Sequence, residues 1–527
     1  MRNELSLSEM EIYKKAFGFF INNSLEEAEQ FILYLDEKLS NYPKFIMLRT
    51  YIYRQKKEYI SEIVHLLEKK EFWQKGLPYI QADLYSMLGE AYNIIGKGRE
   101  AMDSFLKSSL IELENNNFSQ AITEYSNAIF SAAEISDFSI IETDKLYRGF
   151  RELLSSNITP FSPIKYNHSK IHIGYLSADF RQHPVGKFLF PLICNHSAKD
   201  FCVHCYSNNK ISDDVTDKFK QENVIWHDIQ SLSYEELAKQ IRKDEIDILV
   251  DTGGHTANNR VAVFTYRPAP IQISAIGWVG STGLFDCDYI LGDKYCIPEI
   301  ENPFYTETLI SLPNSHFCYH NFNSKFPEIA SSPCLKNNYI TFGCFNNFAK
   351  ITDEMMILWS KILNNVPNSR LILKHKLLGC SEGRELAQYR LKNAGCDLKR
   401  IELRGFSEDY LLQYNEVDIA LDTFPYVGGM TTFESLYMGV PVISRYGEHR
   451  GTRFGYSLLC NVGLNELTAP TDEEFVAKAI ELASNKDVIV ALRENLRKMV
   501  ELSPLMDERQ YTLDVEKLYK EIYSLRS

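Results

Sequence analysis

Two stretches of this chain hold residues whose types and spacing suit the binding of an anion. In "LDTFPYVGGMTTFESLYMGVPVIS" (residues 421–444) an apolar run gives way to Gly428, Gly429, Thr431 and Thr432, then to a helix-like segment. Paired glycines let backbone approach a ligand closely, and hydroxyls donate hydrogen bonds. The start of the following helix adds unpaired N–H groups at the positive end of its dipole. Glu434, one turn further on, is placed to accept from the hydroxyls of a ribose. Lys350, in "FNNFAKITDE" after the run "YITFGCF", falls at an expected helix start. A cation is unfavourable there unless an anion such as a diphosphate compensates it. Elsewhere, His183 in "YLSADFRQHPVG" and Gly253, Gly254, His255 and Thr256 in "DTGGHTANNR" follow other strand-like runs. A loop histidine in such a place is a candidate base. Position alone leaves each of these residues an ordinary alternative: a tight turn, a solvated lysine, a surface histidine. Neither a GxGxxG fingerprint nor a Walker loop is present at the turn, so neither a dinucleotide nor ATP is indicated.

The elements that must hold these residues are legible as a change of texture along the chain. Residues 1–152 read as all-helical, with a capping box at Ser24 and Glu27. Tyr85, Leu88, Gly89, Tyr92, Gly96, Ala101, Phe105 and Ser108 have tetratricopeptide spacing, and the flanking segments read as degenerate copies. After the Pro/Ser/Asn-rich stretch "SSNITPFSPIKYNHS", short β-rich runs alternate with helical ones: "IHIGYLS", "CVHCYS", "IDILVD", "IQISAIGW", "DYILGD" and "TLISLP". A second linker near 320–338 precedes a restart with "YITFGCF", "RLILKHK", "RIELRGF", "DIALDT" and "PVISRYG", and a terminal amphipathic helix. The expected architecture is α/β: a helical repeat domain (1–152), a first Rossmann-like domain (165–320) and a second (338–527). Ligands of open α/β sheets bind off the carboxyl ends of the strands, so the candidate residues share a cleft between the last two domains.

Composition sets outer limits. With 527 residues, 45% hydrophobic and 24% charged, the chain suits two or three globular domains. A net charge of -13 argues against a nucleic-acid backbone as main partner. No run approaches a membrane span, and the polar start "MRNELSLSEMEIYKK" is unlike a signal peptide. Eleven scattered cysteines fit reduced thiols and a cytoplasmic location. Cys202 and Cys205 have CxxC spacing, but no second pair completes a zinc site, and both read as small strand residues.

Seven ordered motifs carry a resemblance. "HIGYLSADFRQHPVGKFL", "DILVDTGGHT", "RPAPIQISAIGWVGSTG", "DYILGD", "TFGCFNNFAKIT", "LDTFPYVGGMTTFESLYMGVPVI" and "GTRFGYSLL" resemble the catalytic region of O-linked N-acetylglucosamine transferases and their SPINDLY-type relatives, over roughly residues 165–525. The resemblance implies a GT-B fold behind tetratricopeptide repeats and an inverting, metal-independent glycosyltransferase with no cofactor beyond a nucleotide-sugar donor. It implies roles position by position. His183 matches the active-site histidine near sugar and acceptor, with Pro184, Gly254, His255 and Thr256 on that side. Lys350 matches the lysine that neutralises the donor diphosphate, and Asn347 a polar contact beside it. Gly428, Gly429, Met430, Thr431 and Thr432 fall in the phosphate-binding turn, Glu434 on the ribose, and Arg404, Gly405 and Phe406 beside the base. The sequence departs from animal members in having Gly429, Met430 and Thr431 where they have His-Thr-Thr, and Tyr410 in place of a histidine. The implied activity is transfer of N-acetylglucosamine from UDP-GlcNAc to Ser or Thr of a protein presented by the repeats. UDP-glucose-dependent O- or N-glucosyl transfer and a catalytically silent GT-B partner remain as alternatives. The acidic "ISDDVTD" around Asp213 and Asp214 reads as a helix end, not a metal site.

Overall fold

Runs that are apolar on both faces form the interior strands of a parallel sheet, because helices cover each side. The computed structural model, which describes residues 7–33, 35, 37–297, 305–322 and 326–526, shows two such sheets. The first six residues of the polar start and residues 323–325 of the second linker lie outside the described residues. The chain divides into two compact units, Met1–Ile135 with His375–Tyr389, and Ser136–Lys374 with Arg390–Ser527.

The helical unit contains the repeat-like pair Pro78–Ile94 and Gly98–Glu114, followed by Phe118–Ala132. Gly89 lies against the ring of Phe105, Ser108 donates to the Ala82 carbonyl at 2.9 Å, and Tyr85 packs edge-on to Trp73. Spacing alone had pointed to this seam. What spacing did not show is that residues 375–389, from far along the chain, belong to the same unit. Leu386 joins its core, and Glu382 accepts from Ile60 N at 3.1 Å and from the Ser61 hydroxyl.

In the other unit the first sheet is built from β1 (Ile171–Ser177), β2 (Phe201–Ser207), β3 (Ile225–Asp228), β4 (Ile248–Asp251), β5 (Ile271–Ser274), β6 (Tyr289–Asp293) and β7 (Thr308–Leu312). All pairs are parallel, in the order β3-β2-β1-β4-β5-β6-β7. The second sheet has β8 (Thr341–Cys344), β9 (Arg370–Lys374), β10 (Ile401–Arg404), β11 (Ile419–Leu421), β12 (Val442–Arg445) and β13 (Thr468–Ala469), in the parallel order β10-β9-β8-β11-β12-β13. Both place the reversal of strand order beside their first strand, where ligands of such sheets sit. Two strands had no sequence signal. β3 is a half-exposed edge strand, "IWHD", and β13 is two residues long.

Alternation along β2 settles the CxxC pair. Cys202 and Cys205 project from opposite faces of a pleated strand and cannot share an ion. Two helices lie where the linear reading did not put them. Ile140–Ser155 packs on the first sheet's loops, with Phe150 edge-on to His255 and Arg151 donating to Gly283 O at 2.8 Å. The terminal helix Glu508–Arg526 follows the second sheet in sequence but packs on the first sheet's layer. Thr512 donates to Pro191 O and Tyr511 to His316 O, both at 3.1 Å.

Candidate active site

The turn after β11 is organised by a buried carboxylate that sequence reasoning passed over. Asp422 accepts from the backbone N–H groups of Thr423 and Gly428 at 2.8 Å and from Ser444 Oγ at 2.7 Å. Asn346 Nδ2 lies at 3.3 Å and Thr432 Oγ1 at 3.4 Å. Burial raises its pKa, opposed by these bonds and by the charge of Lys350. Gly428 is required here: a Cβ would stand 2.6 Å from Thr432 Oγ1 and 3.0 Å from Asp422 Oδ1. Gly429 is different. It caps the eight-residue helix Met430–Tyr437, and a Cβ there would meet nothing within 4 Å, so the space above the helix start is open.

The two threonines do another job than expected. The Thr431 hydroxyl donates to Asn346 Oδ1 at 2.6 Å, and that of Thr432 is turned inward to Asp422 and Gly428 O. Their hydroxyls fix the turn by donating within the protein. An anion is left the N–H groups of the helix's first turn, which have no intrahelical acceptor, at the positive end of its dipole. Lys350 stands beside them. It ends a short three-ten turn, Phe348–Lys350, capped by the Asn347 side chain accepting from Ala349 N at 3.4 Å; the α-helix begins only after Thr352. Lys350 Nζ is 3.5 Å from Val427 O and 3.8 Å from the centroid of the Tyr426 ring. Asn347 is thus brought to the turn as a cap.

Glu434 is buried on the same helix, and its Oε1 accepts from Tyr410 OH at 2.6 Å and lies 3.9 Å from Lys187 Nζ. Burial raises its pKa, with Lys187 and the Tyr410 bond opposing. Tyr410, the residue that departs from the family pattern, therefore binds the carboxylate the reading assigned to a ribose. Arg404 is the furthest from its expected role. Its guanidinium is held by Glu402 at 2.7 Å and by Glu416 at 2.7 and 3.0 Å. That leaves the backbone of Gly405, whose carbonyl accepts from Lys374 at 2.7 Å, and the Phe406 ring, 74% exposed and free to stack on a planar base.

Lys187 links the halves. It lies one turn into the helix Pro184–Asn195, whose N-cap is His183. His183 Nδ1 is 3.3 Å both from the Val185 N–H and from Asp179 Oδ1. With Nδ1 protonated, the ring donates to Asp179 and leaves Nε2 a free base; with Nδ1 bare it accepts from Val185. Burial lowers the His183 pKa against the pull of Asp179, and Arg181 and Lys187 lower it further. Pro184 occupies the first helical position, where its missing N–H costs nothing. Asp213 caps the helix Asp214–Gln221 and also accepts from Gln182 N at 2.8 Å, steadying the His183 loop.

After β4, Gly254 (φ +53) sits where a Cβ would be 2.3 Å from Trp278, and its N–H donates to the buried Asp251 at 2.5 Å. His255 does not reach the cleft. It is fully buried, its Nε2 bonded to Thr282 O at 2.9 Å between Phe150 and Trp278, and burial takes its pKa down to about 4. Thr256 closes the loop by donating to Gly253 O at 2.7 Å. Four residues that shape the site were missed: Asp422, Asn346, Lys187 and Asp179. Each is a polar residue in or beside a motif already singled out, which was the available signal.

With this geometry in place, comparison with known proteins is informative. The profile of glycosyl transferase family 41 matches residues 156–331 and 330–515. The chain is 36% identical over 393 residues to a probable UDP-N-acetylglucosamine--peptide N-acetylglucosaminyltransferase SPINDLY of Solanum lycopersicum, covering 72% of this chain and 42% of the relative. The Hordeum vulgare counterpart is 37% identical with the same coverage. The chain thus spans less than half the length of these curated relatives. Among solved structures, a mutant Thermobaculum terrenum O-GlcNAc transferase superposes with a TM-score of 0.84 at 27% identity, covering 99% of both chains. The GT-B arrangement behind a helical region, expected from sequence, is the architecture observed.

Proposed function

The chain belongs to glycosyl transferase family 41, and from that footing we propose that it is an inverting transferase that moves a sugar from a nucleotide-sugar donor to a protein. The donor is UDP-N-acetylglucosamine and the acceptor group a Ser or Thr hydroxyl. One observation carries this reading: Lys350 and an open helix start, beneath a glycine with empty space above it, form a receptor for a diphosphate at the mouth of the second sheet. Phe406 supplies a face for the base. Glu434, with Tyr410 and Lys187 about it, supplies a carboxylate for the ribose.

In the reaction the acceptor oxygen forms a bond to the anomeric carbon as the bond from that carbon to the diphosphate oxygen breaks. Negative charge grows on the leaving diphosphate, where Lys350 and the helix dipole are already oriented, so no divalent ion is required for this step. The acceptor proton passes to His183 Nε2 when Asp179 holds the Nδ1–H, or to a phosphate oxygen of the donor. The helical repeats present the acceptor protein. The eleven cysteines are all free, which suits a reducing cytoplasm, and no described helix is long and apolar enough to cross a membrane.

The test is a panel of sugar nucleotides, each incubated with the protein and a peptide mixture, scoring nucleotide release and peptide mass. UDP-N-acetylglucosamine should be turned over fastest, with the mass of one N-acetylhexosamine added to Ser or Thr. Preference for UDP-glucose, or modification at Asn, would replace the donor or acceptor assignment. Thermal protection by UDP without any turnover would point to a silent binding partner.

A further inference from the structure

Outside the cleft, β2 and β3 lay polar side chains together on one face of the first sheet, beside Asp244 at the end of the helix Tyr234–Lys243. His204 of β2, His227 of β3 and Asp244, the C-cap of that helix, bring one donor atom each within 4.8 Å of one another. His204 Nδ1 is 3.1 Å from His227 Nε2, which is 3.6 Å from Asp244 Oδ2. We propose that these three residues bind a divalent transition-metal ion of the zinc class, clamping β2, β3 and the end of the helix, with water as fourth ligand.

Geometry is the first argument. Two nitrogen or oxygen ligands at about 2.05 Å across a tetrahedral ion stand roughly 3.3–3.4 Å apart, and the observed 3.1 and 3.6 Å bracket that separation. Two imidazoles and a carboxylate from three separate segments make a set that zinc accepts.

The surroundings supply the second. Ligands of a metal are themselves held by outer hydrogen bonds. Asp244 Oδ2 accepts from Tyr206 OH at 2.8 Å, and Gln240 Nε2 reaches both carboxylate oxygens at 2.8 and 3.0 Å. The other nitrogen of His204 lies 3.7 Å from Cys202 Sγ, so when Nε2 carries the ring proton it has a partner there and Nδ1 is bare.

Charge is the third. Asp244 is a largely buried carboxylate at a helix C-terminus, where the dipole disfavours an anion. Among the described residues its hydrogen-bonding partners are the neutral Tyr206 and Gln240, with the His227 ring beside them. A bound cation would balance that charge. His227 and Asp244 keep a little exposure, 18% and 14% of their side chains, which leaves a path for the ion and its water.

The full chain, stripped with a chelator and desalted, is to be titrated calorimetrically with zinc chloride and, separately, with cobalt(II) followed by absorption. One zinc per chain is expected to bind saturably and raise Tm. Cobalt should give a tetrahedral visible spectrum without a thiolate charge-transfer band. His227→Gln and Asp244→Asn should each weaken zinc at least tenfold, whereas Cys202→Ser should leave it bound. Should either ligand variant fold poorly by circular dichroism, Tyr206→Phe serves instead; losing only a bond that orients Asp244, it should cost roughly tenfold. Absence of saturable binding in the wild type overturns the proposal. So do unchanged affinity in these variants, and zinc lost in Cys202→Ser but kept in Asp244→Asn.

Discussion

Replacing Lys350 by alanine is expected to slow turnover by roughly 10²–10³, with a smaller effect on stability. Both halves follow from where the side chain lies. In the folded protein its ammonium is half-buried, 3.5 Å from Val427 O and 3.8 Å from the Tyr426 ring centroid. A hydrogen bond at that length and a partly exposed cation–π contact are together worth about 1 kcal/mol. In the proposed mechanism the same charge faces the leaving diphosphate in the transition state. At about 4 Å and an effective dielectric constant near 20, a pair of unit charges interacts by about 4 kcal/mol, or about 10³ in rate. The larger effect therefore belongs to chemistry. The assay is release of nucleoside diphosphate at saturating and limiting donor, with Tm and circular dichroism recorded on the same samples. Wild-type turnover in Lys350→Ala would refute the reasoning. A large fall in Tm with unchanged turnover per folded molecule would do so too, by showing the lysine to be structural.

Three further outcomes are expected. Because burial holds the His183 pKa below its ordinary 6.5, kcat/KM should fall on the acid side only below that value. Asp179→Asn removes the charge that pulls it up, so the acid limb should move to still lower pH; a shift to higher pH would contradict the pairing. Burial also raises the Asp251 pKa from 3.8 to about 7, so the folded state keeps a proton that the unfolded chain has lost. Its contribution to stability is present below about pH 4 and is lost as pH rises through 7, a difference of about 4 kcal/mol. Asp251→Asn should flatten that part of the pH dependence in urea unfolding between pH 4 and 8, and a curve parallel to the wild type would exclude it. Finally, EDTA should leave glycosyl transfer intact even as it strips the His204 cluster; loss of transfer restored by magnesium or manganese would overturn the metal-free step.

What the sequence determined by itself was the set of strongly patterned elements and which polar residues and glycines stand at their ends. Continuous apolar runs such as "ILVD" and "TFGC" read as interior strands because burial on both faces leaves no polar position in them. The glycine turn at 428–429, Lys350 and His183 were legible because each breaks such a pattern where a strand ends. Edge strand β3 and two-residue β13 were not, since a half-exposed or very short strand imposes no periodicity.

Tertiary structure decided which way each polar group turns, and that altered several assignments. The same residue type gave opposite outcomes at His183 and His255. The first caps a helix beside Asp179, and the second is sealed between Phe150 and Trp278 by a helix from more than a hundred residues earlier. Thr431 and Thr432 looked like anion donors until Asn346 and Asp422, on neighbouring strands' loops, claimed their hydroxyls. Lys187 meets Glu434 across 247 positions of sequence only because the two sheets face each other through those helices. Spacing along one strand likewise rejected a cysteine pair, while pairing between strands set His227 opposite Tyr206, with His204 two residues away on the same face. Local sequence fixes backbone conformation through nearby sterics and periodic burial; the partner of a polar side chain comes from whatever distant segment packs against it.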